Sequence, residues 1–262
     1  NIQVFGTNLN GVDNYIKCDV TKINECYEAI SNCLPDYIVN LTGISFVPSL
    51  DYLEIYNVNF IGSLNILKAC EEYVPKSKLL LISSAQVYKE SLYPLQEKDS
   101  IELKNHYAIS KKNMEDVIFL SNYNCKIARS FNYTGIGQDK KFLIPKIVDH
   151  YKNKNSSITL GDIDVFRDFS DVRDVVRAYK YILLSDSKDC LFNVCSSRAV
   201  SIQEILLFLD TQTKQNIKVL ESEKFKRSKI TKKIVGNNEL LKSIGWNSKY
   251  QIEDTLIWML NH

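Results

Sequence analysis

Glycine is scarce in this chain, with nine among 262 residues, and no three of them stand at the Gly-x-x-Gly-x-x-Gly spacing. The sequence therefore contains no Gly-rich turn of the kind whose backbone holds phosphate groups. An excess of charge is also missing, because Lys+Arg 33 against Asp+Glu 31 leaves a net charge of +2. Nucleic-acid recognition requires a surplus of Lys and Arg on one face, so we expect no nucleic-acid partner.

Metal-ligand spacings and membrane spans are absent from the sequence as well. The seven cysteines include no C-x-x-C pair, and the three histidines do not cluster with them, so we expect no metal site. No apolar run approaches the roughly 20 residues that span a bilayer, and we find no secretory signal. Cys70, Cys125 and Cys195 lie in apolar runs, where free thiols behave as small hydrophobic side chains. We therefore expect a reducing, cytoplasmic compartment and no membrane partner.

Apolar runs alternate with segments of helical spacing through the first half of the chain. Strands are predicted at residues 2–5, 15–18, 37–41, 79–82 and 126–129, and helices at residues 23–34, 53–70 and 106–120. The strand runs are apolar throughout instead of at every second residue, which is typical of a parallel sheet covered on both faces. The predicted fold class is α/β.

After about residue 140 the pattern changes. Helices are predicted at residues 142–151, 174–184, 202–209, 237–244 and 252–260, and short strands at 156–160 and 191–194. Ser201 and Glu204 have the spacing of a capping box. We predict a first domain over residues 1–140 and a smaller lobe over residues 141–262, some segments of which return to the first sheet.

Tyr107 and Lys111 are the sharpest chemical signal. They stand four residues apart on a predicted helix and therefore share one face. A nearby ammonium lowers the pKa of a phenol, so this tyrosine could exchange a proton with a carbonyl or carbinol oxygen. On its own, such a pair is more often part of a solvated helix face.

Small or polar residues follow four successive predicted strands. They are Asp19-Val20-Thr21, Asn40-Leu41-Thr42-Gly43, Ser83-Ser84 and Arg129-Ser130-Phe131-Asn132. Each could be a turn or a helix N-cap. Because ligand sites in open parallel sheets form at the carboxyl ends of the strands, the four together with the Tyr–Lys pair predict one site.

The ordered set resembles the extended short-chain dehydrogenase/reductase family, the nucleotide-sugar epimerases, dehydratases and reductases. Asn59-Phe60-Ile61-Gly62-Ser63 is similar to a helix motif of that family, and Arg167-Asp168-Phe169 begins another. The resemblance covers nearly the whole chain and is strongest to the reductases and dehydratases of GDP-linked deoxysugars. It implies a Rossmann-type sheet with helices on both faces, a C-terminal substrate-binding lobe, a nicotinamide cofactor and a nucleotide-diphosphate sugar as substrate.

The resemblance also implies residue roles. Ser84, Tyr107 and Lys111 match the catalytic trio. The residues expected at the cofactor, besides Tyr107 and Lys111, are Asp19, Val20, Leu41, Thr42, Gly43 and Asn59. Those expected at the substrate, besides Ser84, are Gln86, Asn132, Arg167 and Arg227, the last three at the diphosphate.

Gln86 bears on the reaction. Dehydratases of the family carry Glu at this position, and the bifunctional epimerase/reductases carry Cys. An amide is not a general acid or base. This favours reduction of a C4 keto group on a nucleotide-linked 4-keto-6-deoxy sugar. The alternatives are a 4-epimerase or C4 dehydrogenase, a tolerated substitution at residue 86, and a non-catalytic binding member or inactive fragment.

Two departures from the family pattern affect binding. The chain begins where the second strand is expected, so we expect the first strand and its Gly-rich turn to be missing. Ile230 stands where relatives carry an acidic residue, which leaves the nucleotide open. The sequence Gly6-Thr7-Asn8 lacks the acid that would hold a ribose 2′-hydroxyl, which favours NADP(H) over NAD(H).

The resemblance also implies how the chain assembles. Relatives pair through the helices that correspond to residues 53–70 and 106–120, forming a four-helix bundle. Both segments carry more apolar residues than one buried stripe needs. We therefore predict a homodimer, the alternative being that both helices lie deep in a monomer.

Overall fold

The computed structural model describes residues 2–45, 51–221 and 233–262. The chain forms two compact units that interleave along the sequence. The first comprises Asn1–Val87, Ile101–Arg129 and Ile182–Phe192, and the second comprises Tyr88–Ser100, Ser130–Tyr181 and Asn193–His262. The boundary predicted at residue 140 therefore falls inside the second unit.

The first unit contains most of the strands and helices predicted for the amino-terminal half, although the helix predicted at residues 53–70 is interrupted by a π-helical stretch. Its strands are β1 (Thr7–Asn8), β2 (Ile16–Lys17), β3 (Tyr37–Asn40), β4 (Lys78–Ser84) and β5 (Cys125–Ser130, whose last residue belongs to the second unit). Its helices are α1 (Ile23–Cys33), α2 (Tyr52–Tyr56), α3 (Gly62–Tyr73) and α4 (His106–Leu120). A π-helical stretch, Asn57–Ile61, joins α2 to α3, and a 3₁₀ turn, Ala85–Val87, follows β4.

The main sheet has the strand order β3-β4-β5-β9, where β9 is Leu191–Val194. β3 and β4 pair in parallel, with Asn40 opposite Leu81. Leu79, Leu80 and Leu81 are all fully buried, as expected for a strand covered on both faces. β3 differs, because Tyr37 and Val39 are exposed on one of its faces.

The prediction of a strand at residues 2–5 is wrong, since the first strand is Thr7–Asn8. Pairing with β2 sets this boundary: Ile16 N donates to Gly6 O over 2.8 Å, and Thr7 lies opposite Ile16. The Tyr15 ring lies so close to Gly6 that a Cβ there would be 2.4 Å from it. The apolar run before Gly6 has no ladder partner among the described residues, and Ile2 and Val4 are exposed.

The second unit is built around β8 (Phe166–Asp171). β8 pairs in parallel with β6 (Asn132–Thr134) and β12 (Lys233–Ile234), and antiparallel with β10 (Ala199–Ser201). A separate parallel pair is formed by β7 (Ser157–Leu160) and β11 (Lys218–Glu221). The helices are α5 (Leu143–Lys152), α6 (Val172–Leu184, ending in the first unit), α7 (Ile202–Thr213), α8 (Glu239–Ser243) and α9 (Ile252–Leu260). The capping box predicted at Ser201 and Glu204 is confirmed.

Each unit has its own apolar core. In the first, α1, α3 and α4 cover the strands with residues that include Cys26, Leu67, Cys70, Leu79, Met114 and Ile127. In the second, α5, α7 and α9 pack together through residues that include Ile147, Tyr151, Phe169, Ile205, Leu209 and Leu256. Among the residues that the structure describes, every helix is too short or too polar to traverse a lipid bilayer.

Leu34 generates a prediction about stability. It ends α1 in the left-handed conformation, at φ 44 and ψ 56, and is 62% exposed. An L-residue in this region is strained by its Cβ, whereas glycine is not. We expect Leu34→Gly to raise the free energy of unfolding by about 1 kcal/mol, measured by urea denaturation. Leu34→Ala keeps the Cβ and is the control; an equal gain in both variants would contradict the explanation.

Candidate active site

Ser84 is the last residue of β4 and lies at the carboxyl edge of the main sheet. The three buried leucines upstream anchor the strand, and Ser84 itself is 7% exposed. Its Oγ accepts a hydrogen bond from Gln86 N over 3.2 Å. That bond occupies one lone pair of the hydroxyl oxygen and leaves the hydroxyl hydrogen to donate to a second partner.

Tyr107 and Lys111 lie one turn apart on α4. The helix begins at an N-cap, Asn105, whose Oδ1 accepts from Ala108 N over 2.8 Å. Tyr107 and Lys111 are 7% and 5% exposed, so they do not form a solvated helix face. Lys111 Nζ donates to Ile82 O over 2.8 Å, which joins this face of α4 to β4 two residues before Ser84.

Burial lowers the pKa of Lys111 to about 8, although the negative charge of Glu115 opposes the shift. The ammonium therefore remains mostly protonated at neutral pH, and it favours the phenolate form of a neighbouring tyrosine. Glu115 is itself bound by Arg129, through Nε at 2.8 Å and Nη2 at 2.6 Å, and by Ser83 Oγ at 2.5 Å. These bonds fix α4 against the ends of β4 and β5.

The turn after β3 lies beside Lys111 as well. A Cβ on Gly43 would lie 3.1 Å from Lys111 Nζ and 3.3 Å from Asn59 Oδ1, so any larger residue would have to displace these side chains by a few tenths of an ångström. Asn59 lies in the π-helical stretch and is fully buried. Its Oδ1 accepts from Ile44 N at 2.7 Å, and its Nδ2 donates to Ser110 Oγ at 3.1 Å. Asn59 thus connects the turn to α4.

The other residues predicted at the cofactor lie in the same unit. Leu41 is 68% exposed, and Thr42 N donates to Asn40 Oδ1 over 3.0 Å. Asp19 follows β2, and its Oδ1 accepts from both the backbone N and the hydroxyl of Thr21. The hydroxyl bond, more than any other contact, lowers the pKa of Asp19.

Val20 is buried against α3. A Cβ on Gly62 would lie 2.6 Å from Val20 Cγ2, so the glycine of the helix motif permits this contact. Asn65 Nδ2 donates to Val20 O over 2.8 Å and holds the turn from the same helix.

Residues predicted at the diphosphate lie in the second unit or outside the described residues. Asn132 and Arg167 stand on the paired strands β6 and β8, where Asn132 is opposite Phe169. Asp168 is fully buried and accepts bonds from Ser196 N, Ser196 Oγ, Ser197 N and Gly236 N. Burial raises the pKa of its carboxyl to about 6. Arg227 lies outside the described residues.

A cavity of about 280 Å³ adjoins β6 in the same unit. The loop that follows this strand supplies most of its wall. Its lining residues are Tyr133, Thr134, Gly135, Ile136, Gly137, Gln138 and Val172.

Several residues that organise the site escaped the sequence analysis. Glu115 lies four residues after Lys111, on the same face of α4, so its spacing could have been recognised in the sequence. Arg129 was noted only as a strand-end residue, and its pairing with Glu115 is a long-range contact without a sequence pattern. Asn105 has the residue type of an N-cap, but its bond to Gln86 Oε1 at 3.3 Å depends on the fold.

The residues present fit a nicotinamide cofactor. The Gly43 backbone is exposed beside Lys111. Among the described residues, the bond to Ile82 uses one of the three Nζ hydrogens, and the others could donate to ribose hydroxyls. Ser84 offers a hydroxyl donor at the same edge. Within the described segments, no three His, Cys, Asp or Glu side chains are placed as a metal-ligand group.

The buried ammonium leads to a prediction about stability and pH. Lys111 has an ordinary pKa of 10.5 and a folded-state pKa of about 8, so folding disfavours its charge. After allowing for the lost bond to Ile82, we expect Lys111→Met to stabilise the protein by about 1–2 kcal/mol at pH 7. The unfolded state binds more protons between the two pKa values, so wild-type stability rises with pH there and the difference shrinks.

Urea denaturation at pH 7 and at a pH near 9.5 measures this difference. Lys112→Met is the matched control, because Lys112 is the neighbouring residue and pairs with Asp116 at the surface. A Lys111→Met protein that is less stable than wild type at pH 7 would contradict the prediction.

Known proteins are similar to this chain in sequence and in fold. A 29% identical relative, the GDP-6-deoxy-D-talose 4-dehydrogenase of Aggregatibacter actinomycetemcomitans, aligns over 93% of this chain and 83% of its own length. The GDP-6-deoxy-D-mannose reductase of Pseudomonas aeruginosa is 28% identical over 85% of this chain and 78% of the relative.

Solved structures of known proteins superpose on this chain. RMD from Pseudomonas aeruginosa complexed with NADPH superposes with a TM-score of 0.86 at 26% identity, covering 94% of this chain and 86% of that one. A protein from Burkholderia cenocepacia superposes with a TM-score of 0.91 at 33% identity, covering 98% and 88%. The family profile described as GDP-mannose 4,6 dehydratase matches residues 6–259. By this match the chain belongs to that family and is an NAD(P)-dependent oxidoreductase of the extended short-chain dehydrogenase/reductase type.

Proposed function

We propose that this enzyme reduces the C4 keto group of a nucleotide-linked 4-keto-6-deoxy sugar. The observation that carries the proposal is an amide, Gln86, two residues beyond Ser84, at the edge of the sheet that Lys111 contacts. Dehydration requires a group that takes a proton from carbon, and an amide does not do so at neutral pH. The names of the reductase and 4-dehydrogenase relatives support chemistry at the same class of sugar.

Each side chain of the trio has one task in this reduction. A bound reduced nicotinamide supplies the hydride. Tyr107 donates a proton to the C4 oxygen, and Ser84 donates a hydrogen bond to the same oxygen. Lys111 lowers the pKa of Tyr107 through its charge and holds the cofactor ribose. Gly43 and Asn59 keep the backbone of the Leu41–Ile44 turn beside Lys111.

Binding of the substrate diphosphate falls to Asn132, Arg167 and Arg227 in this proposal. Guanidinium groups pair with phosphate through two parallel hydrogen bonds, which fixes both distance and orientation. Asp168 is the neighbour of Arg167 on β8, and its carboxylate accepts bonds from the backbone N of Ser196, Ser197 and Gly236. We assign it the role of keeping this part of β8, and so Arg167, in position. Asp19 and Val20 are assigned to the adenine of the cofactor.

NADPH is the proposed cofactor. β1 ends at Asn8, whose amide oxygen accepts bonds from Asn10 N at 3.1 Å and Gly11 N at 2.6 Å. A neutral side chain at this position neither holds a ribose 2′-hydroxyl as a carboxylate does nor repels a 2′-phosphate. All seven cysteines are free thiols, which supports the cytoplasm as the location.

Replacing Tyr107 tests the mechanism. We expect Tyr107→Phe to lower kcat/KM for a nucleotide-linked 4-keto-6-deoxyhexose by roughly 10²- to 10⁴-fold, because proton transfer supplies that much. NADPH oxidation followed at 340 nm measures the rate, and circular dichroism checks the fold. Tyr93→Phe removes the hydroxyl of an exposed tyrosine and is the control. Near wild-type turnover by Tyr107→Phe would contradict the mechanism.

The cofactor distinguishes the alternatives in the same assay. A reductase consumes NADPH in proportion to the sugar reduced. A 4-epimerase regenerates its nicotinamide in each cycle and purifies with NAD bound. A non-catalytic member would show neither behaviour.

A homodimer is the proposed assembly. Ile55, Met114 and Ile118 of the paired helices are buried, whereas Leu53, Ile61 and Phe119 remain 57%, 39% and 50% exposed. These exposed apolar side chains could be covered by an isologous interface.

Light scattering on the wild-type protein should therefore give the mass of a dimer, and Leu53→Asp should shift it toward a monomer. Leu92→Asp, at an exposed leucine in the second unit, is the control. A wild-type monomer at micromolar concentration would defeat the proposal.

A further inference from the structure

Gln86 and Asn105 link the two hydroxyl groups assigned to the substrate oxygen. Asn105 Nδ2 donates to Gln86 Oε1 over 3.3 Å. Gln86 N in turn donates to Ser84 Oγ, and Asn105 Oδ1 caps α4 through Ala108 N. One series of hydrogen bonds therefore runs from the Ser84 hydroxyl to the helical turn that carries Tyr107.

Two other bonds between α4 and β4 lie beyond Tyr107 along the helix. Lys111 contacts Ile82 one turn further along the helix, and Glu115 contacts Ser83 two turns along. The Gln86–Asn105 bond lies before Tyr107, at the start of the helix. Tyr107 is therefore held between two attachments. The start of α4 is also tied to α2, through the bond of 2.9 Å between His106 Nδ1 and Tyr56 Oη, and the Gln86–Asn105 bond ties that start to the turn after Ser84.

The choice of an amide at residue 86 also has an electrostatic reason. A carboxylate there could accept the same bond from Asn105. It would add a negative charge beside Asn105, the N-cap of the helix that carries Tyr107, and a nearby negative charge disfavours a phenolate. Glutamine provides the acceptor without the charge.

We propose that the Gln86–Asn105 bond sets the separation of the Ser84 and Tyr107 hydroxyls. Gln86 and Asn105 are therefore positioning residues for the reduction. The inference rests on the proposed function. It assigns Gln86 a role through its neighbours in addition to any contact with substrate. Asn105 acquires a role beyond capping the helix.

A double-mutant cycle on Gln86→Glu and Asn105→Asp tests the bond. Each single variant keeps a donor opposite an acceptor, because the remaining amide can present either its oxygen or its NH₂. The double variant places two carboxylates opposite each other, while the new aspartate still caps α4. We expect kcat of the double variant to fall below the product of the single effects by about 10- to 100-fold, as for a small misplacement of reacting groups. The KM for NADPH should not show this coupling.

The pH dependence separates positioning from a general loss of structure. Two opposed carboxylates share a proton more readily than either binds one alone. The shared proton restores a hydrogen bond, so the deficit of the double variant should shrink as the pH falls from about 8 to about 5.5. Effects that simply multiply, with a wild-type pH profile, would overturn the proposal.

Two further measurements keep the outcome decisive. If the double variant does not fold, Gln86→Met and Asn105→Ser each remove the bond. Their combination should cost no more in kcat than the worse single variant, and multiplying effects would overturn the proposal.

If the wild type itself reduces no keto sugar, the proposed function has failed. Crystal structures of wild type and double variant then decide: a changed Ser84–Tyr107 separation supports the bond's role, and an unchanged one overturns it.

Discussion

The buried ion pair between Glu115 and Arg129 is the constraint on which the site depends. Burial of these two charges, with 0% and 4% side-chain exposure, is compensated by the two hydrogen bonds between them and by a third from Ser83. The pair fixes one helix against two strands at their carboxyl ends. Arg129 also offsets the negative charge of Glu115 one turn from Lys111, and burial lowers the pKa of that ammonium to about 8 although Glu115 opposes the shift.

Local patterns predicted most of the elements. The helix at residues 106–120, the strand at 191–194 and the helix at 252–260 have the predicted bounds, because apolar spacing and the flanking polar residues agree there. The parallel pairing of β3 and β4 followed from their apolar runs. The run at residues 2–5 looked like a strand, but strand formation requires a partner, and the pairing with β2 begins at Gly6.

The site was less visible than the fold. Tyr107 and Lys111 could be singled out as candidates because they lie one turn apart on a helix, and Ser84 because it stands at the end of a strand. Asn59 could be identified from its motif, but its bonds to Ile44 and Ser110 show that it holds a turn and a helix together. Such contacts cross 15 and 51 residues of sequence, and no local spacing encodes them.

The π-helical stretch at Asn57–Ile61 constrains how this sequence can vary. A π turn accommodates one more residue than an α turn, and Gly62 N accordingly bonds to Asn57 O, five residues back. Deleting a single residue here would restore an unbroken α-helix. Because a π turn absorbs one extra residue locally, the α-helical segments on either side would keep the faces that they now present. What would change is the spacing inside the stretch, where Asn59 bonds to Ile44 and Gly62 lies against Val20. A deletion here would therefore disturb the turn after β3 without turning the rest of the helix to a new face.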